Sequence, residues 1–335
     1  MPEMLLFAAL CCAVMTAALV RMLRPPRVAE TLVRACAAVA GAASVAVGAG
    51  VLTGADTAAY FLASSFAVAP VSVLLGAAAQ EARPGHRGVA WALVLVWGLV
   101  VFPVCSVVPP LVFELCGTSE CRVEDFGGGL ALLVSSSASV LLAWRAPADT
   151  VRESWARFAL PVLVVWLAGA LWLASLEGMI DAYTPRILLA AFVAPLGGAV
   201  AWMLVDVLRR AERHPLRSAA DGVLAGLVAI LPGAAGVSFP WSLAVGALAG
   251  AAAALVYNLR RLSSAGRAGH WALVVLASTA VGYLAPAVAG DSIGLLFSGR
   301  IAALAPPTLA FLAVAAIGVL ATVPIWALGR SARRS

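Results

Sequence analysis

Eleven apolar stretches, each near the length of a bilayer crossing, follow one another along this 335-residue chain with only short polar loops between them. They fall at residues 5–20, 28–52, 58–80, 89–113, 126–144, 158–176, 186–208, 219–238, 240–258, 271–289 and 305–328. A helix needs about 20 apolar residues to cross the hydrocarbon core. Charged residues make up only 11% of the chain, where a soluble domain carries about 25%. The expectation is an all-α integral membrane protein with no room for a sizeable soluble domain.

The chain contains no lysine, so all 22 basic residues are arginine. With the loops counted alternately, 18 of them lie on one side. These are Arg21, Arg24, Arg27, Arg83 and Arg87; Arg145, Arg152 and Arg157; Arg209, Arg210, Arg213 and Arg217; Arg260, Arg261 and Arg267; and Arg330, Arg333 and Arg334. The other side holds Arg122, Arg186 and Arg300, and Arg34 lies within a span. Positive charge in short loops stays cytoplasmic, which predicts the N-terminus outside and the C-terminus inside. The net charge of +6 then serves topology and contact with anionic lipid rather than nucleic acid. Arginine-only usage in an Ala/Val/Leu/Gly-rich chain points to a GC-rich bacterial genome, hence a bacterial plasma membrane.

The polar residues suggest packing more than chemistry. Glu30 and Arg34 stand at i and i+4 and can pair on one helix face. Asp206 and Asp221 flank the Arg209–Arg217 cluster and are expected to pair with it. Gly222-x-x-x-Gly226 and Gly246-x-x-x-Gly250 permit close helix contact. Asp125 precedes Phe126-Gly127-Gly128-Gly129 and can cap a helix start; three glycines there are tolerable if a neighbour approaches closely. Ser135, Ser136, Ser137 and Ser139 are expected to bond back to helix carbonyls. Cys116 and Cys121 share a loop on the outer side, where either a disulfide or two thiols is possible. His86, His214 and His270 lie in or beside cytoplasmic loops, so no metal or haem site is expected within the bilayer. No phosphate-binding loop exists without a lysine, no cofactor is implied, and no catalytic constellation points to an enzyme.

Three segments together resemble the ammonium transporter family (the ammonia-channel and Rhesus-glycoprotein superfamily). Gly222-Val-Leu-Ala-Gly-Leu-Val-Ala-Ile-Leu-Pro232-Gly-Ala-Ala-Gly236 is similar to that family's G-x-x-A-G-L-V-x-I-T-P-A-x-G-F. Asp125-Phe126-Gly127-Gly128-Gly129 is similar to its D-F-A-G-G, and Phe66-Ala67 followed by Gly76-Ala77-Ala78-Ala79 to its F-A-x-I-T-x-x-L-I-x-G-A run. The resemblance implies two five-helix inverted repeats, about 1–145 and 155–290, plus a last helix at about 305–328, in one domain spanning 1–335. An odd number of spans per repeat forces the inversion. It further implies a homotrimer, a narrow pore in each subunit, and ammonium or ammonia as the solute.

Carried over by residue, Phe66 and Trp172 take the positions of the two pore-gate aromatics. Asp125 takes that of the carboxylate stabilising the outer recruitment region, and Pro109 that of the vestibule tryptophan. The twin pore histidines fall on Leu133 and Val274, and the Asp before the second on Gly269. An apolar centre cannot compensate a dehydrated ammonium ion, so the expected solute there is ammonia or another small uncharged molecule. The alternative is a non-conducting scaffold, sensor or partner subunit that keeps the fold. The family's PII-type cytoplasmic regulator is not expected here, given the short tail Arg330–Ser335.

Overall fold

The computed structural model describes residues 2–331 except 24, 26, 54, 84–85, 117–122, 142–154, 260–266 and 291–293, and leaves undescribed the side chains of 49–58, 155–157, 267–271 and 328–331. Among the described residues the chain is helical, with a single β-bridge between Val237 and Gly290. The first part comprises α1 (Pro2–Leu23), α2 (Val28–Thr53), α3 (Ala55–Phe66), α4 (Val68–Ala82), α5 (Arg87–Val96), α6 (Phe102–Ser106), α7 (Val108–Cys116) and α8 (Ser135–Val140). The second comprises α9 (Trp155–Ser175), α10 (Thr184–Leu208), α11 (Pro215–Ile230), α12 (Phe239–Tyr257), α13 (Arg267–Ala289), α14 (Leu295–Ser298) and α15 (Ala305–Ser331). Two π-helical segments, Trp97–Val101 and Gly129–Val134, lead into α6 and α8.

Nine helical stretches among the described residues are long and apolar enough to cross a membrane. They match the expected spans except the fifth and eighth, which carry shorter helices, Gly129–Val140 and Pro215–Ile230. The eighth stops before its expected end because Pro232 has no N–H to give the preceding turn, and residues 231–236 form turns instead.

Proline explains other interruptions. Pro70 leaves the Phe66 carbonyl without its helical donor, and the helix breaks at Ala67 between α3 and α4. Pro103 likewise follows the π segment Trp97–Val101. In α10, Pro195 frees the Ala191 carbonyl, and the indole N–H of Trp166 on α9 donates to it at 2.9 Å. Neighbouring side chains commonly re-satisfy such groups in membranes.

The expected polar pairings form. Glu30 and Arg34 lie 3.8 Å apart, and Trp91 Nε1 donates to Glu30 at 3.1 Å. Asp206 and Asp221 both pair with Arg213, and Asp221 also with Arg217. Ser136 and Ser139 bond back to the Leu133 and Ser135 carbonyls at 3.2 and 2.8 Å. Ser135 does more than that: it accepts a 2.8 Å bond from Trp97 Nε1, tying the π segment Trp97–Val101 to the start of α8. The last helix docks on α8 through Trp326, whose Nε1 donates to the Ser139 carbonyl at 2.9 Å.

Among the described residues, the buried side chains form one large core, running from α1 and α4 through α9 and α10 to α15, and a small separate cluster of Trp202, Ala225, Ala253, Ala254 and Val274.

Candidate functional site

Two of the sequence motifs meet at one end of the bundle. The Phe126 and Gly127 amides donate to the Pro232 and Leu231 carbonyls at 3.0 and 2.8 Å, joining the glycine run to the end of α11. A Cβ on Gly127 would stand 2.7 Å from the Leu231 oxygen, and one on Gly129 2.9 Å from Pro232 Cγ. Gly127 is therefore required by the close approach of the Leu231 backbone, and Gly129 by that of the Pro232 ring. Gly128 adds a left-handed turn, φ +63°, that suits glycine. Asp125 caps the segment that follows, accepting from the Leu130 amide at 3.1 Å. Burial pushes the Asp125 carboxyl up to about 7, against the pull of the backbone amides it accepts from.

Above this loop opens a cavity of about 590 Å³. Tyr60 and Phe61 enter it from α3, Phe102 from the start of α6, and Phe113 from α7; Asp125 and Pro109 also line it. The Tyr60 hydroxyl donates to the Asp125 and Phe126 carbonyls at 3.1 and 2.7 Å, so one aromatic wall is fixed to the loop that bears the carboxylate. Tyr60 and Phe61 pack edge-to-face with centroids 5.8 Å apart. Phe102 leans on Trp97 at 5.9 Å.

These four aromatic residues were not singled out from the sequence. The signal was available in part: Phe102 and Phe113 are eleven residues apart, which returns to nearly the same helix face. The π segment, the turn at Val107 and the pairing with α3 were needed to show that they share a cavity with Tyr60.

The other positions of interest lie as follows. Pro109 lines the cavity beside Phe113. Phe66, half-buried, ends α3. Trp172 is buried, and its Nε1 donates to the Ala63 carbonyl, one turn before Phe66, at 3.3 Å. Leu133 sits half-buried in the π segment Gly129–Val134, against the large core. Val274 does not join it, but packs with Trp202 in the small cluster, whereas Leu276 packs against the large core. Cys116 is disulfide-bonded; Cys121 lies outside the described residues. Gly269 lies in the first turn of α13. No group of three potential metal ligands occurs among the described residues.

The model of the Ammonium Transporter Family matches residues 159–329, just over half of the chain. No curated protein matches by sequence. Among solved structures, Mep2 from Candida albicans superposes with a TM-score of 0.80 at 16% identity, covering 98% of this chain and 85% of that one. A protein described as a sensor Amt protein superposes with a TM-score of 0.77 at 14% identity, covering 98% of this chain and 92% of that one. Mep2 from Saccharomyces cerevisiae gives 0.66 at 16% identity, covering 79% and 64%. Identities this low speak for the fold alone.

Proposed function

The chain belongs to the ammonium transporter family, and on that premise we propose that it is a channel that gathers ammonium at the aromatic cavity and passes ammonia, uncharged, through an apolar centre. The observation that carries this reading is the cavity itself: aromatic side chains on three elements above a buried carboxylate, at the end of the bundle opposite the arginine-rich loops. Aromatic faces attract a cation, and an acidic group at a recessed mouth concentrates cations there. Beyond the mouth, Phe66 and Trp172 serve as the gate and Leu133 lines the centre. Leucine offers a dehydrated ammonium ion no acceptor, so the proton stays behind. The arginine bias supports placing the cavity outside a bacterial plasma membrane, with a homotrimer as the working assembly.

The test is alkalinisation inside liposomes holding the purified protein after an inward ammonium gradient is applied. Faster alkalinisation than in empty liposomes, without electrical current, is the expected result. Folded protein with no added flux would assign the chain to the scaffold reading instead.

The register of α13 yields a second expectation. Residues two apart on a helix point about 200° apart, so Val274 and Leu276 cannot both face the pore. Val274 is committed to Trp202; Leu276 is the residue proposed to face Leu133. Histidine at Leu133 and Leu276 together is expected to introduce a charge-coupled ammonium current, whereas histidine at Leu133 and Val274 is not. Current from the Val274 pair alone would reverse this register.

A further inference from the structure

We propose that Arg34 holds a small monovalent anion of the size of chloride, between α2, α4 and α5 near the arginine-rich end of the bundle. The site is separate from the aromatic cavity and does not depend on conduction.

Charge is the first argument. Arg34 is 1% exposed and lies within α2, which starts at Val28; at 1.5 Å per residue it stands about 9 Å along the helix. Its one ion-pair partner among the described residues is Glu30, 3.8 Å from Nη1. Glu30 is already engaged. Its Oε1 accepts from the Trp91 indole at 3.1 Å, and its Oε2 stands 4.0 Å from Arg87 Nε. Two guanidinium groups thus share one carboxylate, which leaves one positive charge over. A charge within the membrane is costly unless it is paired or meets water. Arg87, 57% exposed, meets water; Arg34 does not.

The second argument is hydrogen bonding. Arg34 Nη2 donates to the Thr31 hydroxyl at 3.1 Å, but Nε and Nη1 have no acceptor in the protein. The Ser72 hydroxyl on α4 is in the same condition, 2% exposed and without a partner. Ser106 and Ser278 donate to the carbonyl four residues back, as serines in spans commonly do; Ser72 does not. Ser72 and Gly76 stand one turn apart on the same face of α4, and Gly76 is the residue that meets Arg34. The unmet groups include two guanidinium N–H donors and a hydroxyl that can donate. The ligand that completes them accepts hydrogen bonds, as an anion does and a cation does not.

Size is the third. A Cβ added at Gly76 would stand 3.6 Å from Arg34 Nη2, 3.8 Å from its Cζ and 3.9 Å from Val94 Cγ2. These are ordinary contacts, so the glycine leaves room for about one heavy atom beside the guanidinium. The Trp91 ring, 5.8 Å from Cζ, also packs near the group. A phosphate or carboxylate is too large for that space, whereas a halide is a single atom. Water is small enough but leaves the charge uncompensated. Glu30 sits at Nη1 and the Gly76 space at Nη2. Nε shares the Nη2 edge of the guanidinium fork, so the cation stands between the carboxylate and the anion.

The test is thermal unfolding of the purified full chain in detergent, with sodium chloride exchanged for sodium gluconate at constant ionic strength. A ligand of the folded state stabilises it by mass action. The expected result is a saturable rise in unfolding temperature with chloride, reproduced by bromide and absent with gluconate. Ser72→Ala removes a hydroxyl that makes no hydrogen bond within the protein, so the fold is kept. Half-saturating chloride should then rise at least about ten-fold, the worth of a hydrogen bond to a charged group. Gly76→Ala fills the space with a methyl group at ordinary contact distance and should abolish the response. No halide response, an equal response to gluconate, an unchanged half-saturation in Ser72→Ala, or a response kept by folded Gly76→Ala would overturn the proposal and leave water beside Arg34. None of these readouts involves flux, so the conduction reading and this one stand or fall separately.

Discussion

Gly198→Ala is expected to destroy the packing of the second half of the molecule, although the same change at Gly88 should be harmless. α10 lies between α11 and α12 with almost no side chain intervening. A Cβ on Gly198 would overlap the Gly222 carbonyl oxygen and stand 3.0 Å from the Gly226 amide nitrogen. From the other side, Gly250 of α12 approaches the Gly198 backbone, and Gly226 and Gly246 both close on the Ala194 carbonyl. The obstructing atoms belong to backbones, so no rotamer change can relieve the clash. Overpacking typically costs about 1–3 kcal/mol and occasionally more, and this site, blocked by backbone, should cost about 3 kcal/mol or more. An added Cβ at Gly88 meets nothing within 4 Å, and alanine there should gain up to about 1 kcal/mol of helix propensity. The comparison is made by size-exclusion profile and unfolding temperature in detergent. Equal behaviour of the two variants would mean that α10 does not rest on its neighbours as described.

Asp221→Asn should be the most damaging single change of charge. Asp221 is 2% exposed and pairs with both Arg213 and Arg217, the latter at 3.2 Å. Those arginines are held by rings as well: Arg213 lies 4.1 Å from the Tyr257 centroid and 5.6 Å from that of Trp202, and Arg217 lies 3.4 Å from that of Phe158. Asp206 shares the network, accepting from Ser218 and Asn258 at 2.6 and 2.9 Å. Four helices, α9 to α12, thus meet in one buried set of charges at the arginine-rich end. Removing one member of a buried pair leaves an uncompensated charge and costs about 3–5 kcal/mol. Arg87→Gln should cost much less, because Arg87 is 57% exposed and stands 4.0 Å from Glu30. Unfolding temperature followed by tryptophan emission checks both, since Trp202 lies under the network. A loss at Asp221 no larger than at Arg87 would show that the network is not held by charge.

Both predictions start from features visible in the chain. The paired G-x-x-x-G segments on successive spans announced close helix contact, and the acidic residues flanking the arginine cluster announced pairing. What could not be read was the partner. Nothing in the sequence says that Gly198, outside both motifs, is the residue on which both converge, or that Arg213 rather than Arg209 or Arg210 turns inward.

The candidate site divides in the same way. Asp125 and its glycine run stood out as a helix start needing a close neighbour, and the neighbour is the Leu231–Pro232 end of another motif. The aromatic cavity did not stand out, because Tyr60, Phe61, Phe102 and Phe113 are ordinary span residues one at a time. The eighth helix ends early at a proline that the sequence displayed, but a proline in a span can also be accommodated, as Pro195 is by Trp166.

By itself, the sequence determined the membrane class, the order of the apolar segments and the segregation of arginine, because apolar length and loop charge are properties of short stretches of chain. Only the tertiary structure decided which aromatics share a cavity, where each proline-freed carbonyl is satisfied and whether Val274 or Leu276 lies with the large core. Those depend on the rotation of each helix about its own axis, and in a span that is apolar all round that rotation is set by the neighbouring backbones rather than by the pattern of its own residues.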